Sequence, residues 1–237
     1  MTLYFAEGAT RTLLGRRPPA VTGPCDHLEL GAFTIVKPRP LLPGEPPVSF
    51  GVPRIAGWRI LGRSRSDYRV VIVQPDRQDL HRAADAVILT LDRWPKLRRY
   101  LDLDDPGPTL ATAVWDLAGV LLERGQVRAS RDQLADIDRD VPADSPIRTE
   151  LAERAERAGA VLARLDADVA ARVDHLTRLA DETEAFVAQE RALARARAVL
   201  ENADNLLGAA PAATFDSAAD LAEHTSAVLA AYRELTS

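Results

Sequence analysis

"RLADETEAFVAQERALARARAVLENADNLLG", residues 178–208, is built almost wholly of strong helix formers and closes on a glycine. Ala, Leu, Arg and Glu lose little side-chain freedom in a helix, and Gly208 suits the left-handed conformation of a helix stop. No break is found upstream until Ser145, where Pro146 fits a first helical position. The pattern therefore predicts one helix over about 146–207. At ~1.5 Å per residue such a helix runs roughly 90 Å, longer than a small domain needs for its core.

The apolar residues of this helix follow repeats of seven. Leu151, Ala158, Leu165, Leu179, Phe186, Leu193 and Leu200 share one register, interrupted by Arg172. A second register, Ala155, Leu162, Val169 and Leu176, accompanies it and turns polar at Thr183, Glu190 and Arg197. Ala180, Val187 and Ala194 then take over beside the first. Two apolar positions per seven is the pattern of a coiled coil. The drift of the second register implies a change of neighbour near residues 172–180. Arg172 stands four residues after Asp168, so an ion pair within the helix is expected.

Shorter helices are predicted around this one. "TLATAVWDLAGVLLERG" (109–125) is apolar over most of its circumference, which places it in a core with Gly125 as its stop. "SRDQLADIDRD" (130–140) is expected as a separate amphipathic helix capped by Ser130, and "SAADLAEHTSAVLAAYREL" (217–235) as a last one.

The N-terminal part is different. Prolines crowd residues 15–55 and mark loops or extended edges. "AFTIVK" (32–37) has strand composition, and "AGWRILGRSRSDYRVVIVQP" (56–75) predicts a hairpin of "WRIL" and "YRVVIV". Leu80, Ala84, Val87, Leu91 and Trp94 recur at helical spacing after Pro75 and Asp76, with Pro95 expected to end or kink the helix. The fold expected is mainly α: a small N-terminal α+β region of antiparallel hairpin plus helix, then a helical bundle or coiled coil built on one long helix. The boundary is placed between a proline-rich α+β region, 1–104, and a helical region, 105–237.

Charge divides along the same line. Residues 1–100 carry +7 and residues 101–237 carry −12, which gives the net −5. Nearly all basic residues are Arg, with Lys37 and Lys96 the two lysines, and Ala is abundant throughout, a composition that suits a GC-rich bacterial genome. Cys25 is the single cysteine, so an intramolecular disulfide and a cysteine-rich zinc site are excluded. No apolar run approaches the roughly 20 residues of a membrane helix, and a cytoplasmic protein is expected.

Motifs for phosphate loops, dinucleotide binding, calcium loops, zinc proteases and serine hydrolases are absent, and no His stands three residues after a Glu. No cofactor, metal or catalytic residue is therefore assigned. The expected role is protein–protein interaction or assembly with another chain or with itself, through Leu165, Leu179, Phe186, Leu193 and Leu200. Two alternatives stand beside it. Arg63, Arg65 and Arg69 form a basic patch on the hairpin suited to nucleic acid. Cys25 and His27 in the proline-rich loop would be the place for an enzyme's pocket.

Overall fold

A computed structural model describes residues 2–8, 10–51, 67–100, 105–142 and 144–208, with side chains through Asn205. The protein is mainly α with a small N-terminal sheet, as the sequence predicts. Among the described residues seven strands come first: β1 (Leu3–Glu7), β2 (Thr12–Gly15), β3 (Ala20–Thr22), β4 (Cys25–Leu30), β5 (Phe33–Pro38), β6 (Ser49–Gly51) and β7 (Tyr68–Val71). Three helices follow among these residues, α1 (Gln74–Leu97), α2 (Gly107–Asp140) and α3 (Ile147–Gly208); the helix expected over 217–235 lies outside them. Contacts divide the chain into one unit ending at Val187 and a second beginning at Ala188.

The main sheet has the order β4-β5-β1-β2-β7. β1 runs parallel to β5, and every other pairing in this sheet is antiparallel. β3 and β6 form a separate two-stranded ribbon. The run at 68–71 is a strand, and its partner among the described residues is β2, with Leu14 opposite Arg69 and Leu13 opposite Val70. The "WRIL" arm of the expected hairpin lies outside the described residues. β1, β2 and β4 are not legible in the sequence: β1 and β2 are only five and four residues long, and β4 follows Pro24 in the stretch whose prolines mark loops.

Alternation along the strands sorts side chains to two cores. Leu3, Phe5, Leu14, Phe33, Ile35 and Val71 join a cluster with the helices. Ala6, Leu13 and Val36 belong to a second cluster with Phe50 of β6, so the strands bury both faces. The helical contribution comes from Leu80, Ala83, Ala84 and Val87 of α1, Leu110, Val114, Leu117 and Leu121 of α2, and Val169, Val173, Leu176 and Ala180 of α3. Sheet and three helices thus share one core that spans residues 3–180.

Two expectations about helix ends are corrected. Gly125 does not stop a helix and Ser130 does not cap one, because α2 runs unbroken for 34 residues. A mid-helix glycine costs ~1 kcal/mol, which neighbouring interactions can offset. Here Arg124 and Arg128, on either side of Gly125 and one turn apart, both bond Asp76 at the start of α1. Pro95 lies within α1, which continues to Leu97 and is closed by the Arg98 N–H donating to the Trp94 carbonyl.

The same arginine orders the helices. Arg124 meets Asp76 at 2.5 Å, Asp79 at 2.7 Å and Asp166 of α3 at 3.3 Å. Nearer the α2–α3 turn Arg148 bonds Asp138 at 3.2 Å. The two contacts between α2 and α3, 124 with 166 and 138 with 148, require those helices to run antiparallel. Asp76 is buried, and a buried carboxylate is tolerated only when paired. We expect Arg124→Leu to lower stability by about 3–5 kcal/mol, since it strands that charge. In urea denaturation the double variant Asp76→Asn, Arg124→Leu should regain part of the loss; an equal or greater loss would refute the coupling.

Candidate functional site

Which face of α3 is covered decides what it can offer a partner. Leu151, Leu162, Val169, Val173, Leu176, Ala180, Thr183 and Val187 are buried. The covered line is therefore the second register (162, 169, 176), continued by Thr183, together with the line 173, 180, 187. Thr183, which the sequence pattern marks as a polar departure, stays inside. The first register lies at the margin of this face. Leu165 and Phe186 are half-buried and Leu179 is exposed. Phe186 packs edge-to-face on Tyr100, ring centres 5.4 Å apart, so its partner is in its own chain. Arg93 of α1 bonds Glu184 nearby at 3.0 Å, a contact that raises the Arg93 pKa. Arg172 pairs with Asp168 in its own helix at 2.9 Å, as the spacing predicts.

Beyond Val187 the burial stops although the apolar pattern does not. Leu193 is 41% exposed, Val199 67% and Leu200 64%. Ala192, Ala196 and Arg197 are exposed as well, and Ala203 is half-buried. Leu193, Ala196, Leu200 and Ala203 recur at spacings of three and four, so they form one stripe. Of the five interaction residues expected, Leu193 and Leu200 are those on this open stripe. Val199 beside them was missed, because it falls outside the strict seven-residue register.

Among the polar groups, one cluster has the outline of a catalytic triad. Glu7 Oε1 lies 3.5 Å from His81 Nδ1, and His81 Nε2 lies 2.8 Å from Thr12 Oγ1. Carboxylate, imidazole and hydroxyl in that sequence is the arrangement that activates a nucleophile. Thr12, however, is 0% exposed, and Arg77 donates to the same oxygen at 3.3 Å. Arg77 also bonds the Gly8 carbonyl at 2.6 Å, and Phe5 stands edge-on to the His81 ring. A hydroxyl so enclosed is closed to a substrate; it is the hub that ties the β1–β2 turn to α1. The carboxylate partner of His81 is thus Glu7, supplied by the sheet rather than by its own helix.

Cys25 Sγ and His27 Nε2 lie 3.6 Å apart on β4. Their neighbour Asp26 pairs with Arg39 at 3.4 Å, and among the described residues no carboxylate orients His27. No group of three or more His, Cys, Asp or Glu side chains able to hold a metal occurs among the described residues. Of the basic patch, Arg63 and Arg65 lie outside the described residues. Arg69 is half-buried, and its guanidinium carbon is 4.2 Å from the centre of the Trp115 ring. Burial lowers its pKa from the ordinary arginine value; Asp116 opposes this and Arg16 adds to it.

No family model matches the chain, and neither a curated protein nor a solved structure matches it. Among the described residues no helix is long and apolar enough to cross a membrane.

Thr12→Val should cost about 1–3 kcal/mol, because it leaves Arg77 and His81 short of a bonding partner in a buried site. Thr12→Ser, which keeps the hydroxyl, should recover most of it. Thermal melting of the two variants checks this; equal midpoints would remove the hydroxyl from the account.

Proposed function

We propose that the protein is a non-enzymatic assembly or adaptor protein of the cytoplasm, acting through protein–protein interaction by the distal part of α3. One observation carries this reading: the helix presents Leu193, Val199 and Leu200 to solvent after the burial of its own-chain face has ended at Val187. A stripe of leucine and valine in water is unfavourable by ~25 cal/mol for each Å² left exposed, and a second chain would remove it. The single cysteine suits a reducing compartment.

A second copy of this chain is the partner that fits best. In an antiparallel pair one register satisfies the whole stripe. Leu193 then faces Ala203 of the other copy, and Leu200 faces Ala196. Each large residue meets a small one, so two helices can approach closely without voids.

Light scattering over a hundredfold concentration range tests the proposal. The wild-type chain should show the mass of a dimer, and Leu193→Asp with Leu200→Asp should raise the dissociation constant roughly 100-fold or more. Helix content by circular dichroism and the melting of the N-terminal unit should stay unchanged. A monomer at every concentration, or a double variant of unaltered mass, would overturn self-assembly through this stripe.

A further inference from the structure

Two arginines converge on one tryptophan where β2 and β7 adjoin α2. Arg16 directly follows β2, and Arg69 lies on β7 opposite Leu14, which turns it to the helical side of the sheet. Their guanidinium carbons are 4.8 and 4.2 Å from the centre of the Trp115 ring. Trp115 is buried in the main core and forms a fixed wall. Gly119, four residues further along α2, makes the room: a Cβ there would stand 2.8 Å from Arg69 Nη1.

The contrast with Arg124 is informative. Arg124 has three carboxylates around it. Arg69 Nε and Nη1 are equally out of solvent, yet have no hydrogen-bond acceptor among the described residues. Neither Arg69 nor Arg16 forms an ion pair among the described residues. Asp116 acts on Arg69 through its charge, but it is exposed, so solvent and salt screen it. The preceding stretch of sequence, residues 52–66, holds Arg54, Arg59, Arg63 and Arg65 and no Asp or Glu. Like charges thus meet at one ring with donors unused, a state that buried arginines otherwise avoid.

We propose that Arg16 and Arg69, seated on Trp115, bind a phosphate group. A phosphate group brings negative charge to two adjacent cations and at least two acceptor oxygens to the planar forks, which grip such a group in pairs of parallel hydrogen bonds. The Trp115 ring holds both guanidinium groups by cation–π contact, which leaves their N–H donors for the ligand. Exposed Arg16 reaches the group from solvent. Arg69 gains acceptors by moving its fork off the Gly119 floor. The phosphate belongs either to a small molecule or to the backbone of a nucleic acid; the chemistry of the grip is the same.

The test uses the full chain at constant ionic strength, titrated with inorganic phosphate and followed by tryptophan fluorescence and by the Arg69 Nε–H resonance. A saturable response that shifts this resonance is expected, weakened roughly tenfold or more by Arg69→Gln and likewise by Arg16→Gln. Arg16 is exposed, so that variant leaves folding intact and keeps the test decisive. Trp115→Phe should abolish the fluorescence change. A second arm replaces phosphate with a single-stranded oligonucleotide. Tighter binding through the same two arginines, with a steep loss in salt, assigns the phosphate to a polymer. Binding no tighter than phosphate assigns it to a small ligand. A response that grows linearly without saturation, or one that both arginine variants leave unchanged, overturns the site.

Discussion

Everything in the N-terminal unit turns on one buried carboxylate. Asp76 lies in the first turn of α1, where the helix dipole favours a negative charge, but it is also out of water. Such a charge is costly unless opposite charge and hydrogen bonds surround it. Arg124 and Arg128 supply both from α2, and Arg124 extends the pairing to Asp79 and to Asp166 of α3. The apolar core around it is non-directional and would tolerate some sliding of the helices. The arginine fork is directional, so it fixes where along one another the three helices stand. It also accounts for the continuity of α2, whose one interior glycine past the core falls between the two arginines.

Two polar clusters repeat this logic at smaller scale with different outcomes. Thr12, His81, Glu7 and Arg77 are mutually satisfied, and their closure makes them a latch between the β1–β2 turn and α1. Among the described residues Arg69 is not satisfied, although its strand and its ring contact are as well defined. The difference between a closed network and an open one separates a structural group from one available to a ligand. The same distinction applies to the apolar surface of α3. Its face is closed as far as Val187 and open beyond it, and the open part is what the proposed assembly uses.

A good part of the fold was legible in the residues. The long helix of α3 follows from some sixty residues of helix formers with no breaker, bounded by Pro146 and Gly208. The helical spacing from Leu80 to Trp94 located α1, and the β-branched runs located β5 and β7. The internal pair of Arg172 with Asp168 required only their spacing on a helix. These are local properties, set by side-chain entropy, steric preference and the 3.6-residue turn, and they act whatever the rest of the chain does.

What lay beyond the sequence was who packs against whom. That β1 lies parallel to β5, and that β7 pairs with β2 across more than fifty residues, depends on long-range register that no local pattern encodes. The seven-residue repeats identified three candidate seams on α3. Only the fold decided that 162, 169, 176 and 183 face the core while Leu193 and Leu200 face water, because burial belongs to the pair of surfaces and not to either alone. Asp76 looked like an ordinary dipole-favoured acid and Arg69 like one of several surface arginines. Their charges were plain from the residue types; their burial, and so the energy at stake in pairing them, came from the tertiary structure.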